Sequence, residues 1–306
     1  MLSGKWSAAG DRCPVCEGSH TIAFKARAHD GAEGSTVEII ECKDCTFAWQ
    51  FPLGRSAAES VVHFQQNYYP VDGVRAGYFE GDYKQKTVEV ELDFVASLPI
   101  EGRRLLDVGG GSGAFGVAAA RRGWRTTVVD PALDISVLDQ FDVRAMKGYA
   151  TDLPEDEVFD VVTMWDVIEH VEDPMMVLSS LCDRVAEGGW LILETGNYKS
   201  RGRVEGDRQH WIYQLDHRWY FSPQSLGAML ESIGMAVVGS AQKVLRPEWR
   251  GQEDYPGPTV RQLVSRVLRS PGHLSASLQL HKNLKIASNW PQSGLEIFCL
   301  AARHKS

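Results

Sequence analysis

Four of the six cysteines in this chain have the spacing of metal ligands. They form two C-x-x-C pairs, Cys13 with Cys16 and Cys42 with Cys45, and 25 residues separate the pairs. Each pair brings two thiolates together, and two pairs complete the tetrahedron that structural zinc prefers. Because all four ligands are sulfur, no position remains for an activated water, and we expect a structural zinc site. Two redox-active pairs are the alternative interpretation of this spacing.

The segment between the two cysteine pairs has the pattern of a β-hairpin. The stretches TIAFKAR and TVEIIEC favour strands, and Gly31 and Gly34 mark the turn between them. We therefore expect residues 1–60 to form a small zinc ribbon. These residues hold six Lys and Arg against eight Asp and Glu, so the ribbon lacks the basic surface of a nucleic-acid-binding module.

A second candidate site is the glycine-rich stretch LLDVGGGSGAF, which begins at Leu105. An apolar strand with Asp107 inside its end runs into a tight turn that contains Gly109, Gly111 and Gly113. The ligand of such a turn is a phosphate, a dinucleotide or S-adenosylmethionine (SAM). A dinucleotide is formally open because Gly109, Gly111 and Ala114 satisfy G-x-G-x-x-G/A. The acidic strand end and the lack of a basic partner for a second phosphate argue against it.

From residue 103 onward, the pattern alternates between strands and helices, which predicts a parallel α/β sheet. Gly188 and Gly189 are expected to close the helix that begins near Pro174. Ligands of such sheets bind at the carboxyl ends of the strands. The predicted strands are 104–109, 125–130, 143–148, 159–165 and 190–196.

Histidines near these strand ends are the candidate general bases. His170 follows the fourth strand, and we expect it at the start of a helix with Asp166 on the same face, at i and i+4. His217 lies in an aromatic segment, residues 209–222. Either histidine could take a proton from a substrate. A structural role, such as holding the glycine turn, is the alternative for His170.

Together, these motifs resemble the class I SAM-dependent methyltransferases. The resemblance covers about residues 85–244 and a last strand in LEIFCLAAR, and it implies a Rossmann-like, seven-stranded α/β sheet whose last strand is antiparallel. The stretches that carry it are LLDVGGGSG, VVD, FDVVTMWDVIEHVEDP, LCDRVAEGGWLIL and DHRWYFSPQSLGAMLESIGM.

The resemblance also implies roles in SAM binding. The glycine turn would approach the methionine part of SAM, with Asp107 near its ammonium group, and Asp130 would accept the ribose hydroxyls. Where relatives often carry an adenine-binding aspartate, this chain has Tyr149, so which residue of 150–152 meets adenine stays open. The remaining expected cofactor contacts are Pro131, Ala150, Thr151, Asp152, Trp165, Asp166 and, in a helical lid, Tyr83.

The aromatic segment suggests the acceptor. A loop of aromatic and histidine side chains over a cleft suits a flat or sugar-like substrate and excludes water. The expected substrate contacts are His210, Trp211, Tyr213, Tyr220 and Asn197. We therefore expect methyl transfer to oxygen, nitrogen or carbon of a small molecule or sugar in biosynthetic metabolism. An rRNA or tRNA base methyltransferase and a non-catalytic SAM-binding protein are the alternatives.

Composition limits the partners. The 306-residue chain has a formal net charge of −8 and a pI near 5.6, which argues against nucleic acid and anionic membranes. No apolar run approaches a membrane span and the N-terminus lacks a signal-peptide pattern, so we expect a cytoplasmic protein. The expected organisation is a ribbon (1–60), a helical linker or SAM lid (61–100) and a SAM-binding domain (101–306). A long insertion, 245–290, could cap the site or form a homodimer contact.

Overall fold

The computed structural model describes residues 12–19, 21–45, 47–67, 82–243 and 296–305. The predicted insertion, 245–290, lies outside the described residues. Among the described helices, none is long and apolar enough to cross a lipid bilayer.

The large sheet confirms the predicted fold. Its seven strands are β4 (Arg104–Val108), β5 (Arg125–Asp130), β6 (Val143–Lys147), β7 (Phe159–Trp165), β8 (Val185–Gly196), β10 (Met235–Lys243) and β11 (Ile297–His304). They lie in the order β10-β11-β8-β7-β4-β5-β6, and all neighbouring pairs are parallel except the two that involve β11. The central strands β4, β7 and β8 are apolar runs buried on both faces, as parallel strands between helical layers require.

Helices connect and cover these strands. Several begin at side-chain caps: the Asp173 carboxylate accepts a hydrogen bond from the backbone N–H of Met176, and the Ser222 hydroxyl accepts one from that of Ser225. Such caps fix where each helix leaves the edge at which ligands bind. The helices are α1 (Ala57–Asn67), α2 (Asp82–Ala96), α3 (Ala114–Arg121), α4 (Ile135–Leu138), α5 (Pro174–Cys182), α6 (Arg201–Gly206) and α7 (Pro223–Ser232).

A smaller, four-stranded antiparallel sheet joins the N-terminal residues to the large domain. Its order is β1-β2-β3-β9, where β1 (Thr21–Arg27) and β2 (Thr36–Cys42) form the predicted hairpin, β3 is Ala48–Gln50 and β9 is Trp219–Tyr220. Strand β9 belongs to the methyltransferase-like part of the chain and pairs with β3 through Trp49 and Trp219. The N-terminal sheet is therefore completed by the segment that follows His217.

Two local predictions were wrong. The helix α5 ends at Cys182, and Gly188 and Gly189 lie inside β8, where Gly188 has a φ of +74° beside a break in the register with β7. His170 does not start a helix. It closes a turn in which its N–H donates to the carbonyl of Val167, and α5 begins four residues later, so Asp166 and His170 do not share a helical face.

Candidate functional site

The glycine turn brings the ends of β4 and β5 together. Gly109 has a φ of +69°, and a Cβ there would lie 2.3 Å from Cγ2 of Val167, so only glycine fits this position. The backbone N–H of Gly111 donates to Oδ2 of Asp130 at 3.0 Å. The turn thereby presents its backbone beside an acidic strand end.

Asp130 ends β5 and is buried against this turn. Its Oδ1 accepts a hydrogen bond from the N–H of Ala132 at 2.6 Å, and its Oδ2 accepts the one from Gly111. Burial raises the pKa of Asp130, and the backbone hydrogen bonds oppose that shift. A carboxylate offers about four lone-pair sites, so two remain that can accept hydroxyl donors of a bound ligand.

Asp107 lies beneath the turn with 0% of its surface exposed. Its Oδ1 accepts a hydrogen bond from the hydroxyl of Thr163 on β7 at 3.1 Å. A Cβ on Gly110 would lie 2.7 Å from Oδ2 of Asp107, so the carboxylate supports the turn from below. The carboxyl group of Asp107 therefore lies directly against the backbone of the glycine turn, and its role in SAM binding stays a prediction.

The residues that follow β6 include the expected adenine contacts. Residues Ala150–Asp152 form a short 3₁₀ turn, and the Asp152 carboxylate accepts a hydrogen bond from the N–H of Tyr149 at 2.8 Å. Asp152 therefore caps its own turn, while Tyr149 is 57% exposed. Thr151 is exposed, Ala150 is buried, and Pro131 lies partly buried at the end of β5. The adenine-binding roles of these residues stay predictions.

The end of β7 carries two of the predicted cofactor residues. The Trp165 ring packs on Phe115 with a centroid distance of 5.1 Å. The Nε1 of Trp165 is buried without a hydrogen-bond partner among the described residues. Asp166 has a φ of +54°, which is unusual for a residue other than glycine. Strained backbone of this kind is concentrated at ligand-binding positions, where the surrounding structure holds it in place.

The two predicted histidines meet at the same edge of the sheet. The rings of His170 and His217 lie edge to face with centroids 4.7 Å apart, and Phe64 of α1 packs on His170 at 5.5 Å. Nδ1 of His170 lies 3.2 Å from the carbonyl oxygen of Asp216. Because a carbonyl only accepts hydrogen bonds, Nδ1 carries a proton, and in the neutral form of the ring Nε2 then keeps a lone pair. Nε2 can therefore accept a proton.

Both apolar and ionisable side chains surround the pair, and Oδ1 of Asp216 lies 3.8 Å from Nδ1 of His170. His217 is 5% exposed, and burial, followed by the proximity of His170, lowers its pKa to about 3. His217 is therefore neutral at physiological pH. Burial raises the pKa of Glu169 well above its ordinary value, and the charge of Asp166 adds to that shift.

Glu169, His170 and His217 also form a cluster of donor atoms. One ligand atom from each residue lies within 4.8 Å of the others. Such a set can hold a divalent cation, or it can hold and pass on a proton.

The predicted substrate residues divide into two groups, and one of their members, Tyr220, packs against His217 of this cluster with ring centroids 6.4 Å apart. His210 Nε2 and Trp211 Nε1 lie 2.7 and 3.3 Å from the same carboxylate oxygen, Oε2 of Glu296. Tyr213 and Tyr220 are fully buried in the hydrophobic core of the N-terminal sheet, with ring centroids 5.6 Å apart.

The two remaining predicted site residues are Asn197 and Tyr83. The side-chain oxygen of Asn197 accepts a hydrogen bond from the backbone N–H of Lys199 at 3.0 Å. The side chain of Tyr83 lies outside the described part of the chain. Substrate contact by Asn197 and by the aromatic residues, and the cofactor role of Tyr83, stay predictions.

The four cysteines converge as their spacing predicts. Their sulfur atoms all lie within 4.8 Å of one another, with Cys13 and Cys45 3.5 Å apart and Cys16 and Cys42 3.6 Å apart. Sulfur ligands about 2.3 Å from a tetrahedral zinc are about 3.8 Å from each other. Each of these two short sulfur–sulfur distances joins a cysteine of the first C-x-x-C motif to a cysteine of the second, so the geometry fits one shared ion.

Several residues near the histidines were missed in the sequence. Asp216 precedes His217 directly, and an acid next to a candidate base is a signal that could have been used. The others lie more than 100 residues away along the chain and carry no local motif. They are Asp30, Gln50, Arg55 and Phe64.

Comparison with known proteins places the chain in a family. A family model described as a methyltransferase domain matches residues 82–240, more than half of the 306 residues. A ubiquinone biosynthesis O-methyltransferase of Xanthomonas campestris is 32% identical over 136 residues, which cover 39% of this chain and 56% of that protein. The chain thus matches little more than half the length of this relative.

Solved structures share the fold at low identity. A SAM-dependent methyltransferase from Archaeoglobus fulgidus has a TM-score of 0.50 and 20% identity, and the match covers 76% of this chain and 99% of that one. The 1,6-didemethyltoxoflavin-N1-methyltransferase of Burkholderia thailandensis, solved with its substrate and S-adenosylhomocysteine, has a TM-score of 0.51 and 13% identity, covering 91% and 100%. At these identities the likeness supports the fold alone.

Proposed function

This chain belongs to the methyltransferase domain family, and we propose that it transfers the methyl group of SAM to a hydroxyl oxygen of a small molecule or sugar. The observation that carries the proposal is the hydrogen bond from Nδ1 of His170 to the carbonyl of Asp216, 3.2 Å long. This hydrogen bond leaves Nε2 as a proton acceptor at the carboxyl end of the sheet, where ligands of this fold bind. A base is useful when the acceptor carries a proton that must leave.

The SAM-binding residues are proposed from the same edge. The glycine turn and Asp107 would hold the methionine part, and Asp130 would accept the two ribose hydroxyls. The buried carboxylate of Asp130 is already fixed by two backbone N–H groups, which lowers the entropy cost of orienting it toward a ligand.

Bound SAM supplies an activated methyl group on its sulfonium sulfur. With SAM bound, methyl transfer to the acceptor oxygen would release S-adenosylhomocysteine, and Nε2 of His170 would take up the hydroxyl proton. The Asp216 carbonyl holds the protonated Nδ1, so the ring does not rotate during the transfer. The neutral ring of His217 and the ring of Phe64 pack against His170 and would limit the access of water to it. Most of the acceleration would come from alignment of the oxygen with the methyl group.

We also propose one structural zinc ion, held by Cys13, Cys16, Cys42 and Cys45. The support is the convergence of four sulfur atoms at nearly tetrahedral spacing. The ion would stabilise the N-terminal module without touching the reacting atoms. A small-molecule acceptor is favoured over RNA because the chain has a net charge of −8 and residues 1–60 hold more acidic than basic side chains.

Untargeted metabolite comparison tests the proposal. Two strains would carry either the wild-type gene or the His170→Gln variant, so that both contain a SAM-binding protein. We expect products in the wild-type strain that are heavier by one methylene mass, and their unmethylated forms in the other. The purified protein should release S-adenosylhomocysteine with those acceptors. Binding of SAM without such release, with every metabolite pool tried, would leave a non-catalytic SAM-binding protein; release only with RNA would support the alternative acceptor.

A further inference from the structure

The N-terminal module, here residues 12–67, makes many contacts with the segment that carries His217. We call residues 209–218 the histidine loop. The Nε2 atom of Gln50, a buried side chain, donates to the carbonyls of Gln214 and His217 at 2.8 and 3.1 Å. His29 lies 2.7 Å from the carbonyl of Gln209 through Nε2. The loop is therefore bound along its length by residues that precede it by 164 to 180 positions.

One of these connections is ionic. Nη1 of Arg55 donates to Oδ2 of Asp30 at 2.9 Å and lies 3.4 Å from Oδ2 of Asp216. Oδ1 of Asp30 accepts a hydrogen bond from the N–H of Leu215 at 2.7 Å. The side chain of Arg55 is 13% exposed and that of Asp216 is 3% exposed. At such burial an unpaired carboxylate is costly, so Arg55 strongly constrains Asp216.

Asp216 in turn orients His170 through its backbone carbonyl and its side-chain carboxylate. Its carbonyl accepts from Nδ1 of His170, and its Oδ1 lies 3.8 Å from the same nitrogen. Oδ1 is buried without a hydrogen-bond partner among the described residues. The carboxylate thus lies where it favours a proton on Nδ1, and Arg55 on its other oxygen prevents it from turning away.

We propose that Arg55 is a positioning residue of the active site: anchored by Asp30, it fixes Asp216 and through it the Nδ1–H tautomer of His170. The N-terminal module is then a structural part of the catalytic site rather than a separate docking domain. The effect on catalysis rests on the proposed function, whereas the effect on the tautomer does not.

The tautomer can be measured without SAM or acceptor. Long-range ¹⁵N–¹H correlation spectra of the zinc-loaded, full-length protein with ¹⁵N-labelled histidine distinguish the two neutral forms, and His170→Gln identifies the signal. We expect the Nδ1–H form in the wild type and a mixture with the Nε2–H form in Arg55→Gln. Arg55→Lys keeps the charge and should restore much of the Nδ1–H form. Arg27→Gln, a change at an exposed arginine of the same module, should leave the spectrum unchanged.

Folding is controlled for separately. Melting temperature and zinc content are compared for all variants, and Asp30→Asn, which removes the anchor but keeps Arg55, replaces Arg55→Gln if that variant does not fold. Asp30→Asn should shift the tautomer in the same direction. An unchanged Nδ1–H signal in every folded variant of Arg55 and Asp30 would overturn the proposal.

A kinetic cycle tests the consequence for turnover. Arg55→Gln should lower kcat about 10- to 100-fold while the SAM affinity stays within about twofold. In a His170→Gln background the same change should alter kcat by less than about twofold, because its effect acts through His170. Equal losses in both backgrounds would indicate a general structural role and contradict positioning. Absence of any methyl transfer by the wild type would instead contradict the proposed function and leave the tautomer result to stand by itself.

Discussion

Nδ1 of His170 and the backbone carbonyl oxygen of Asp216 lie 3.2 Å apart, which fixes the tautomer of a histidine at the carboxyl end of the sheet. A lone pair therefore remains on Nε2, the nitrogen that we assign as the proton acceptor. The partner is a backbone atom, so substitution of Asp216 would not remove this bond directly.

The first prediction concerns this base. His170→Ala should lower kcat about 10²- to 10⁴-fold, because the variant lacks the nitrogen that takes up the hydroxyl proton of the methyl acceptor. SAM affinity should not change. Steady-state kinetics with an acceptor from the metabolite comparison, and calorimetry with SAM, measure the two quantities. If His170→Ala and His217→Ala each keep more than about a tenth of wild-type turnover, neither histidine is the base, and positioning alone accounts for catalysis.

The second prediction concerns the pH dependence of stability. The pKa of His217 is about 3 in the folded protein and about 6.5 when unfolded. Below pH 6.5 the unfolded chain takes up a proton that the folded chain does not, so stability falls as the pH decreases toward 3. Between pH 7 and pH 5 this one group should lower the free energy of unfolding by about 2 kcal/mol.

Urea denaturation of the wild type and of His217→Gln at both pH values isolates that contribution. The variant should lose about 2 kcal/mol less between pH 7 and pH 5, since glutamine does not titrate. Other acid-sensitive groups, including the cysteine cluster, are common to both proteins. Parallel losses in the two proteins would mean that His217 titrates normally in the folded state.

The third prediction concerns the cysteine cluster. Metal analysis should find one zinc per chain in the wild type and in Cys182→Ser, because Cys182 lies outside the cluster. Cys42→Ser should lose most of the zinc and melt at a lower temperature, since a structural ion stabilises the fold that binds it. Full zinc retention in Cys42→Ser would remove the assignment.

Sequence patterns predicted the parts of this molecule that are governed by local rules. The strand ends at Asp107 and Asp130, the glycine turn and the convergence of the cysteines all follow from periodicity, backbone freedom or spacing. The errors arose where tertiary pairing decides the outcome. Gly188 has the signature of a helix end, yet β8 extends across it.

The connection between the N-terminal module and the histidines could not be predicted. It depends on Arg55 and Asp30 meeting Asp216, and no local pattern relates residues so far apart in the chain. The burial of Tyr213 and Tyr220 could not be predicted either. Their residue types suggested substrate contact, which stays a prediction, and the pairing of β3 with β9 places Tyr220 beside Tyr213 in the buried core of the N-terminal sheet.

The most direct test of the account is calorimetry of SAM binding to the wild type and to Asp130→Ala, with NAD as a second ligand. If Asp130 accepts the ribose hydroxyls, its removal costs two charge-assisted hydrogen bonds, about 1–3 kcal/mol or about 5- to 150-fold in Kd. Asp142→Ala, which removes an exposed carboxylate immediately before β6, should bind SAM as the wild type does. We predict SAM binding that weakens only in Asp130→Ala, and no tight binding of NAD. Unchanged SAM affinity in Asp130→Ala, or tight NAD binding to the wild type, would contradict the central claim.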